Sequence, residues 1–308
     1  MKKILPEVMS VASLLSTSLI AVFVSWYLKV SGNAPKTTGT GNILYIIYFL
    51  VATLGFTAFV LILARKKRLR LVRIIFLISS AYILFFIFLV FGDVFYSVLY
   101  SIYSFYGIEA SSVALNIASV ASYIVWVAPP VFIMYSWIRH GRWYVTNIAG
   151  ILVSAGLASL WGLLLNVWYA VFLLAIFAVY DYISVYRTRH MVTLAKAAVD
   201  ENLPMLFVFP PTLSFDTGEL SWDSREEREV MMLGFGDVAL PSILVASSSS
   251  YGLHLSPLFL ILPLLGALVG MIALLSGRIK KPAPGLPLIN GGSIIGFLVA
   301  YLIVLLSV

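Results

Sequence analysis

Residues 166–186 read NVWYAVFLLAIFAVYDYISVY, and the one charged side chain among them is Asp181. A run of about 20 apolar residues is long enough to cross the hydrocarbon core of a bilayer as a helix. A carboxylate near the bilayer centre costs from about 2.5 kcal/mol upward, so such residues are rare and usually functional. The stretch therefore sets two expectations at once: a membrane-embedded chain, and chemistry at Asp181. A second stretch, residues 230–250, reads VMMLGFGDVALPSILVASSSS and carries Asp237 as its single charge.

Working outward, the 308 residues are 61% hydrophobic and only 11% charged. Soluble domains hold about 25% charged residues, so a soluble enzyme, a disordered chain and a nucleic-acid binder are excluded. Nine apolar runs are long enough to span: roughly 5–28, 43–64, 72–92, 112–138, 144–164, 166–186, 230–250, 255–277 and 285–306. They are too long and too uniformly apolar for the alternating segments of a transmembrane β-barrel. The first run follows Met1-Lys2-Lys3, is over-long for a secretory signal and lacks a small-x-small cleavage site, so it counts as a span. The expected fold is all-α, a polytopic integral membrane protein with nine transmembrane helices in one domain. A six-helix portion occupies 1–186, a cytoplasmic loop 187–229 and a three-helix portion 230–308.

The positive charges orient this bundle. With the N-terminus in the cytoplasm, all but Lys29 and Lys36 of the 20 Lys and Arg fall on inside segments. That asymmetry is the positive-inside signature, and it supports an odd number of spans. The net charge of +7 is thus a topology signal, with the lipid bilayer as partner and no nucleic acid implied. The chain has no cysteine, which excludes disulfides, thiolate-zinc sites and cysteine nucleophiles. His140, His190 and His254 lie far apart in or near loops, so neither a metal site nor Ser/His/Asp catalysis is expected. No cofactor is implied. The inside loop carries an apolar stretch, 203–211, bounded by Pro204, Pro210 and Pro211 and too short to span. It is expected at the interface or in a groove. Ser247–Ser250 reads as the outer end of the seventh span.

Of the 13 acidic residues, Glu7 is near the N-terminus, Asp93 and Glu109 are expected in the outside segment after the third span, and eight lie between Asp200 and Glu229. Asp181 and Asp237 remain. Asp181 precedes Arg187 by six residues, a rise of about 9 Å, and Asp237 follows Glu229 by eight, about 12 Å, if both segments are helical. Two consecutive antiparallel spans would then hold their carboxylates at one depth. Close carboxylates in a poorly solvated site cannot both ionise cheaply, so the pair tends to hold one proton. One member can take a proton from water while the other protonates a carbonyl, as in aspartic proteases. Position alone leaves two alternatives open: a proton-sharing pair that glues two helices, or a proton or cation relay in a transporter or leak pathway.

The surroundings sharpen this. Asp181 occurs as Tyr180-Asp181, Asp237 as Gly234-Phe235-Gly236-Asp237, and the last span opens with Pro284-Gly285-Leu286-Pro287. The trio resembles the presenilin and signal peptide peptidase family of intramembrane aspartyl proteases. That family carries Tyr-Asp in its sixth span, Gly-x-Gly-Asp in its seventh and Pro-Ala-Leu in its ninth. One departure is visible, Gly285 where the family has alanine. The resemblance implies a compact microbial presenilin homologue, in the cell membrane if the source is prokaryotic. It implies Asp181 and Asp237 as the catalytic pair. Tyr180, Gly234, Phe235, Gly236, Pro284, Gly285, Leu286 and Pro287 are implied as supporting or substrate-binding residues. Gly234 and Gly236 allow a close backbone approach or a loosened helix. Pro284 and Pro287 prevent a regular helix start and leave carbonyls for an extended substrate.

The expected activity is hydrolysis of peptide bonds within the transmembrane segments of single-span proteins or signal peptides, with accessory subunits not required. The orientation is presenilin-like, which implies substrates with their N-termini outside. Presenilins are cut within the inside loop on maturation, so 203–211 is a candidate plug. The nearest enzyme rival is a prepilin-peptidase-like aspartyl protease, which lacks the element approximated by Pro284–Leu286.

Overall fold

The computed structural model of the chain describes residues 4–35, 41–65, 69–105, 112–188, 205–213, 230–276 and 284–307. Among these are nine α-helices: α1 Ile4–Val30, α2 Gly41–Arg65, α3 Leu69–Phe105, α4 Ser112–His140, α5 Trp143–Leu164, α6 Val167–Ile183, α7 Phe235–Gly252, α8 Leu258–Ser276 and α9 Leu286–Ser307. Among the described residues, seven of them are long and apolar enough to cross a membrane. The protein is an integral, multi-pass membrane protein.

Two departures from the sequence expectation matter. The fold is nearly, not wholly, helical. Strand β1, Leu206–Phe209, pairs antiparallel with β2, Met231–Gly234, with Leu206 opposite Gly234 and Phe209 opposite Met231. The described part of the apolar stretch in the loop 187–229 is therefore held in a sheet. Phe207 and Phe209 are fully buried, and Pro210 stops the strand just beyond its end. The rest of that loop, 189–204 and 214–229, lies outside the described residues, as do Lys280, Lys281 and Pro282. The seventh helix begins at Phe235 rather than near 230, because residues 231–234 are already extended in the ladder.

The third helix is also longer than expected. Its 37 residues rise about 55 Å, well beyond the hydrocarbon core. Asp93 thus sits within α3 rather than after it, and its Oδ2 accepts a hydrogen bond of 2.8 Å from the Tyr27 hydroxyl near the end of α1.

The centre of the bundle is α1, α5 and α7, whose facing sides carry small and hydroxylated residues. Lipid is as apolar as leucine, so membrane helices associate through close backbone approach and polar links. Here Gly162 of α5 meets α7 so closely that a Cβ would stand 2.6 Å from Ala246 Cβ. Ser18 and Ser242 join α1 to α7 through a 2.8 Å hydroxyl–hydroxyl bond. Ser247, Ser248 and Ser249 of the serine run are likewise buried. Ser247 donates to the Leu165 carbonyl and Ser248 to that of Phe259.

Helices α8 and α9 pack still closer. A Cβ at Gly266 would lie 2.0 Å from the Gly292 carbonyl oxygen, and one at Gly296 2.0 Å from that of Leu262. Gly266, Gly270, Gly292 and Gly296 form two Gly-x-x-x-Gly rows that let the backbones touch. This fixes the level of the start of α9, which carries Gly285 and Leu286.

Candidate active site

Asp181 lies in the last turn of α6, two residues before its end, and is buried. The helix then widens into one π-helical turn, Ser184–Thr188. Such turns occur preferentially at functional sites. Asp237 is the third residue of α7. Its side chain reaches back over the helix start, where Gly234 N–H donates 3.1 Å to Asp237 Oδ2. This is one half of a capping box, and it satisfies a backbone donor at the helix start. The depth reckoning from helical rise is thereby corrected. Asp237 stands at a strand-to-helix junction, and residues 231–234 advance about 3.3 Å each rather than about 1.5 Å.

Two helix ends thus carry the two acids, and a third element joins them. Leu286 N–H donates 3.1 Å to Asp181 Oδ2, and Gly285 N–H also faces that carboxylate. The same Gly285 lies against Asp237: a Cβ there would be 3.8 Å from Asp237 Cγ and from its Oδ1. The Gly285–Leu286 dipeptide therefore lies beside both acids. Asn290, one turn into α9, donates 3.3 Å to the Leu174 carbonyl of α6 and forms a second link between these helices.

The other residues named from the sequence fall around this centre in different ways. Phe235 is buried and anchors the junction. Its ring centroid is 4.6 Å from Phe207, 6.0 Å from Phe76 and 6.4 Å from Trp137. Pro284 is buried, and Pro287 is half-buried in the first turn of α9. Tyr180 is half-buried, and its hydroxyl makes no hydrogen bond among the described residues. Neither glycine of the Gly-x-Gly-Asp motif meets another backbone closely. A Cβ at Gly234 would press on Asp237 Oδ2 at 3.2 Å, whereas one at Gly236 would meet nothing within 4 Å. Gly234 leaves room for the carboxylate to cap, and Gly236 faces open space.

Three features escaped the sequence reading. Strand β1 builds the wall behind Phe235. Gly150 makes room for it, since a Cβ there would clash with Phe235 at 2.5 Å and Phe207 at 2.8 Å. Asn147 bonds both backbone groups of Val208. The available signal for Asn147 was an amide inside an apolar run, which is costly in a membrane unless paired.

A metal-free acid–base reaction needs two carboxylates held together in a shielded place. This centre supplies both, each carboxylate accepting one or more backbone N–H groups.

The family model described as signal-peptide peptidase, presenilin aspartyl protease matches residues 8–306. A solved presenilin family intramembrane aspartate protease, in a C222 crystal form, is 27% identical, with a TM-score of 0.56 over 96% of this chain and 97% of that one. A structure of the same description in a P2 form is 26% identical, with a TM-score of 0.52 over 95% and 96% of the two chains. Among curated proteins none matches. The match spans nearly the whole length, and the chain belongs to the signal-peptide peptidase and presenilin family: it is an intramembrane aspartyl protease.

Proposed function

We propose that Asp181 and Asp237 are the catalytic pair that hydrolyses a peptide bond within a transmembrane segment. One carboxylate takes a proton from water as the oxygen attacks the scissile carbonyl carbon. The other, protonated, donates to the carbonyl oxygen. The tetrahedral diol then collapses, the C–N bond breaks and the amine leaves with a proton returned by the pair. The pair titrates as a unit, so the roles belong to the two together. The observation that carries this reading is the Gly285–Leu286 dipeptide, which bonds the Asp181 carboxylate and lies beside that of Asp237.

Peptide bonds in a helix are shielded by their own hydrogen bonds, so the substrate must unwind before it is cut. An unwound segment can add as a strand to an existing sheet edge. The sequence suggested pairing at Pro284–Pro287, but that backbone is poor in donors. Two of its four residues are prolines, and the N–H groups of Gly285 and Leu286 face Asp181. The outer edge of β2, which runs into Gly234 and the Asp237 turn, supports strand addition better. Members of this family act on transmembrane substrates. For this chain the substrate class is single-span proteins or signal peptides with their N-termini outside, the enzyme's own N-terminus being cytoplasmic. The division into a six-helix portion, a loop and a three-helix portion places one catalytic Asp on each side of the loop, and no accessory subunit is required.

The test is cleavage of a single-span model substrate by purified protein in detergent, comparing wild type with Asp181→Ala and Asp237→Ala. Cutting within the apolar segment by wild type alone is expected. Cutting that persists in either variant would overturn the paired mechanism.

A further inference from the structure

We propose that Asn147 is a positioning residue for substrate. By occupying the outer edge of β1 it leaves the outer edge of β2 as the place where an unwound transmembrane segment adds as a strand. This rests on the protease reading above and names the residue that directs the substrate to one edge of the sheet.

The parity of the ladder carries the argument. In an antiparallel pair, successive residues point their backbone groups alternately toward the partner strand and away from it. Phe235 N–H donates 3.1 Å to the Met205 carbonyl. That contact continues the register in which Phe207 faces Leu233 and Phe209 faces Met231. The odd-numbered residues of both strands therefore bond across the sheet, and the even-numbered ones point outward. On β1 the central outward residue is Val208. Its N–H donates 2.9 Å to Asn147 Oδ1, and its carbonyl accepts 2.8 Å from Asn147 Nδ2. A single side-chain amide thus takes the two bonds that a neighbouring strand would take. The next outward position is Pro210, which has no N–H to offer. Asn147 and Pro210 together close that edge from Val208 onward, and Leu206 is its one other outward residue.

The outer edge of β2 is different. The sheet has two strands among the described residues, and none lies along this side. Gly234 N–H is engaged by Asp237 Oδ2. Met232 presents its N–H and carbonyl outward, five residues before Asp237. An extended substrate segment that bonds Met232 is led toward Gly236, which faces open space, and so past the Asp237 carboxylate.

Asn147 sits in α5 with its side chain buried. Asparagine is a poor helix former, and a buried amide is costly when unpaired. Here both of its polar atoms are used, and both on Val208. The neighbours of Val208, Phe207 and Phe209, stack with ring planes 7° apart, and Phe207 packs on Phe235. The position of β1 is thus passed to the Asp237 turn through Phe235.

The test uses full-length protein with a single-span model substrate. It measures kcat and KM per folded enzyme and maps the cut bonds by mass spectrometry for wild type, Asn147→Ala, Val208→Pro and Asp237→Asn. Val208→Pro removes the N–H that faces Asn147 while leaving the β1–β2 bonds in place, so it tests the same link from the other side. Asn147→Ala and Val208→Pro are each expected to raise KM about tenfold, to leave kcat within about threefold, and to spread cutting over neighbouring bonds. A normal KM and an unchanged set of cut bonds in both variants, with Asp237→Asn inactive, would overturn this proposal alone. So would a fall in kcat at unchanged KM and cut bonds. Cutting by Asp237→Asn would overturn the catalytic pair and this proposal with it.

Discussion

Leu286 N–H stands 3.1 Å from Asp181 Oδ2, so the first residue of α9 holds the acid at the end of α6. The bond crosses 105 positions of sequence, and its donor is backbone. No side-chain substitution short of proline removes it.

Leu286→Pro is the corresponding experiment. Proline is tolerated at the first position of a helix, where its missing N–H costs the helix nothing. A hydrogen bond to a charged group contributes about 1.5–3 kcal/mol, which corresponds to about 10–100-fold in rate. Cleavage slowed within that range, with helix content by circular dichroism unchanged, is expected. Wild-type rates would show that Asp181 does not depend on this donor.

Asp237→Asn separates capping from chemistry. The amide oxygen can still accept from Gly234 N–H, so the start of α7 is kept. The proton-transfer capacity is lost, and the rate is expected to fall at least about 100-fold with little change in thermal stability. A large drop in melting temperature would instead assign Asp237 a mainly structural role.

Gly285→Ala restores the residue that the family carries at this point. The new Cβ would meet the flexible end of Leu274 at 3.3 Å and the Asp237 carboxylate at an ordinary 3.8 Å. Loss of glycine's freedom in the unfolded chain favours the variant by about 0.4–1 kcal/mol. A slightly raised melting temperature and a rate within about threefold of wild type are expected. A loss beyond tenfold would show that this site needs the space glycine leaves.

Gly292→Ala and Gly291→Ala are neighbours with opposite expected outcomes. A Cβ at Gly292 would lie 2.1 Å from the Gly266 carbonyl oxygen, whereas one at Gly291 would meet nothing within 4 Å. The first must push α8 and α9 apart, with an expected cost of about 1–3 kcal/mol and a loss of activity, because α9 carries Leu286. The second gains helix propensity of about 0.5–1 kcal/mol. Thermal unfolding of the two variants in the same detergent decides it. Equal stabilities would refute the close packing.

Much of the site was legible because its signals are local. A lone carboxylate in an apolar run is conspicuous, and Asp181 and Asp237 were each the single charge in theirs. Short neighbouring motifs added Gly234, Phe235, Gly285 and Leu286. Depth was less legible. Counting residues into Å assumes one rise per residue, and the segment before Asp237 is extended where a helix was expected. Asp93 was misplaced for a related reason: hydropathy marks where a helix leaves the lipid, not where it ends.

By itself, then, the sequence determined that the chain is a membrane-spanning helical bundle and singled out Asp181 and Asp237 as its candidate pair. Apolar run length and charge asymmetry act through the solvent, so they can be read residue by residue. Only the tertiary structure decided that Leu206–Phe209 is a strand, that Asn147 takes both backbone groups of Val208, and that Gly285 and Leu286 join the two acids. Each of these is a pairing between backbones far apart in sequence. A backbone N–H or C=O is the same at every non-proline position, so no side-chain pattern announces its partner.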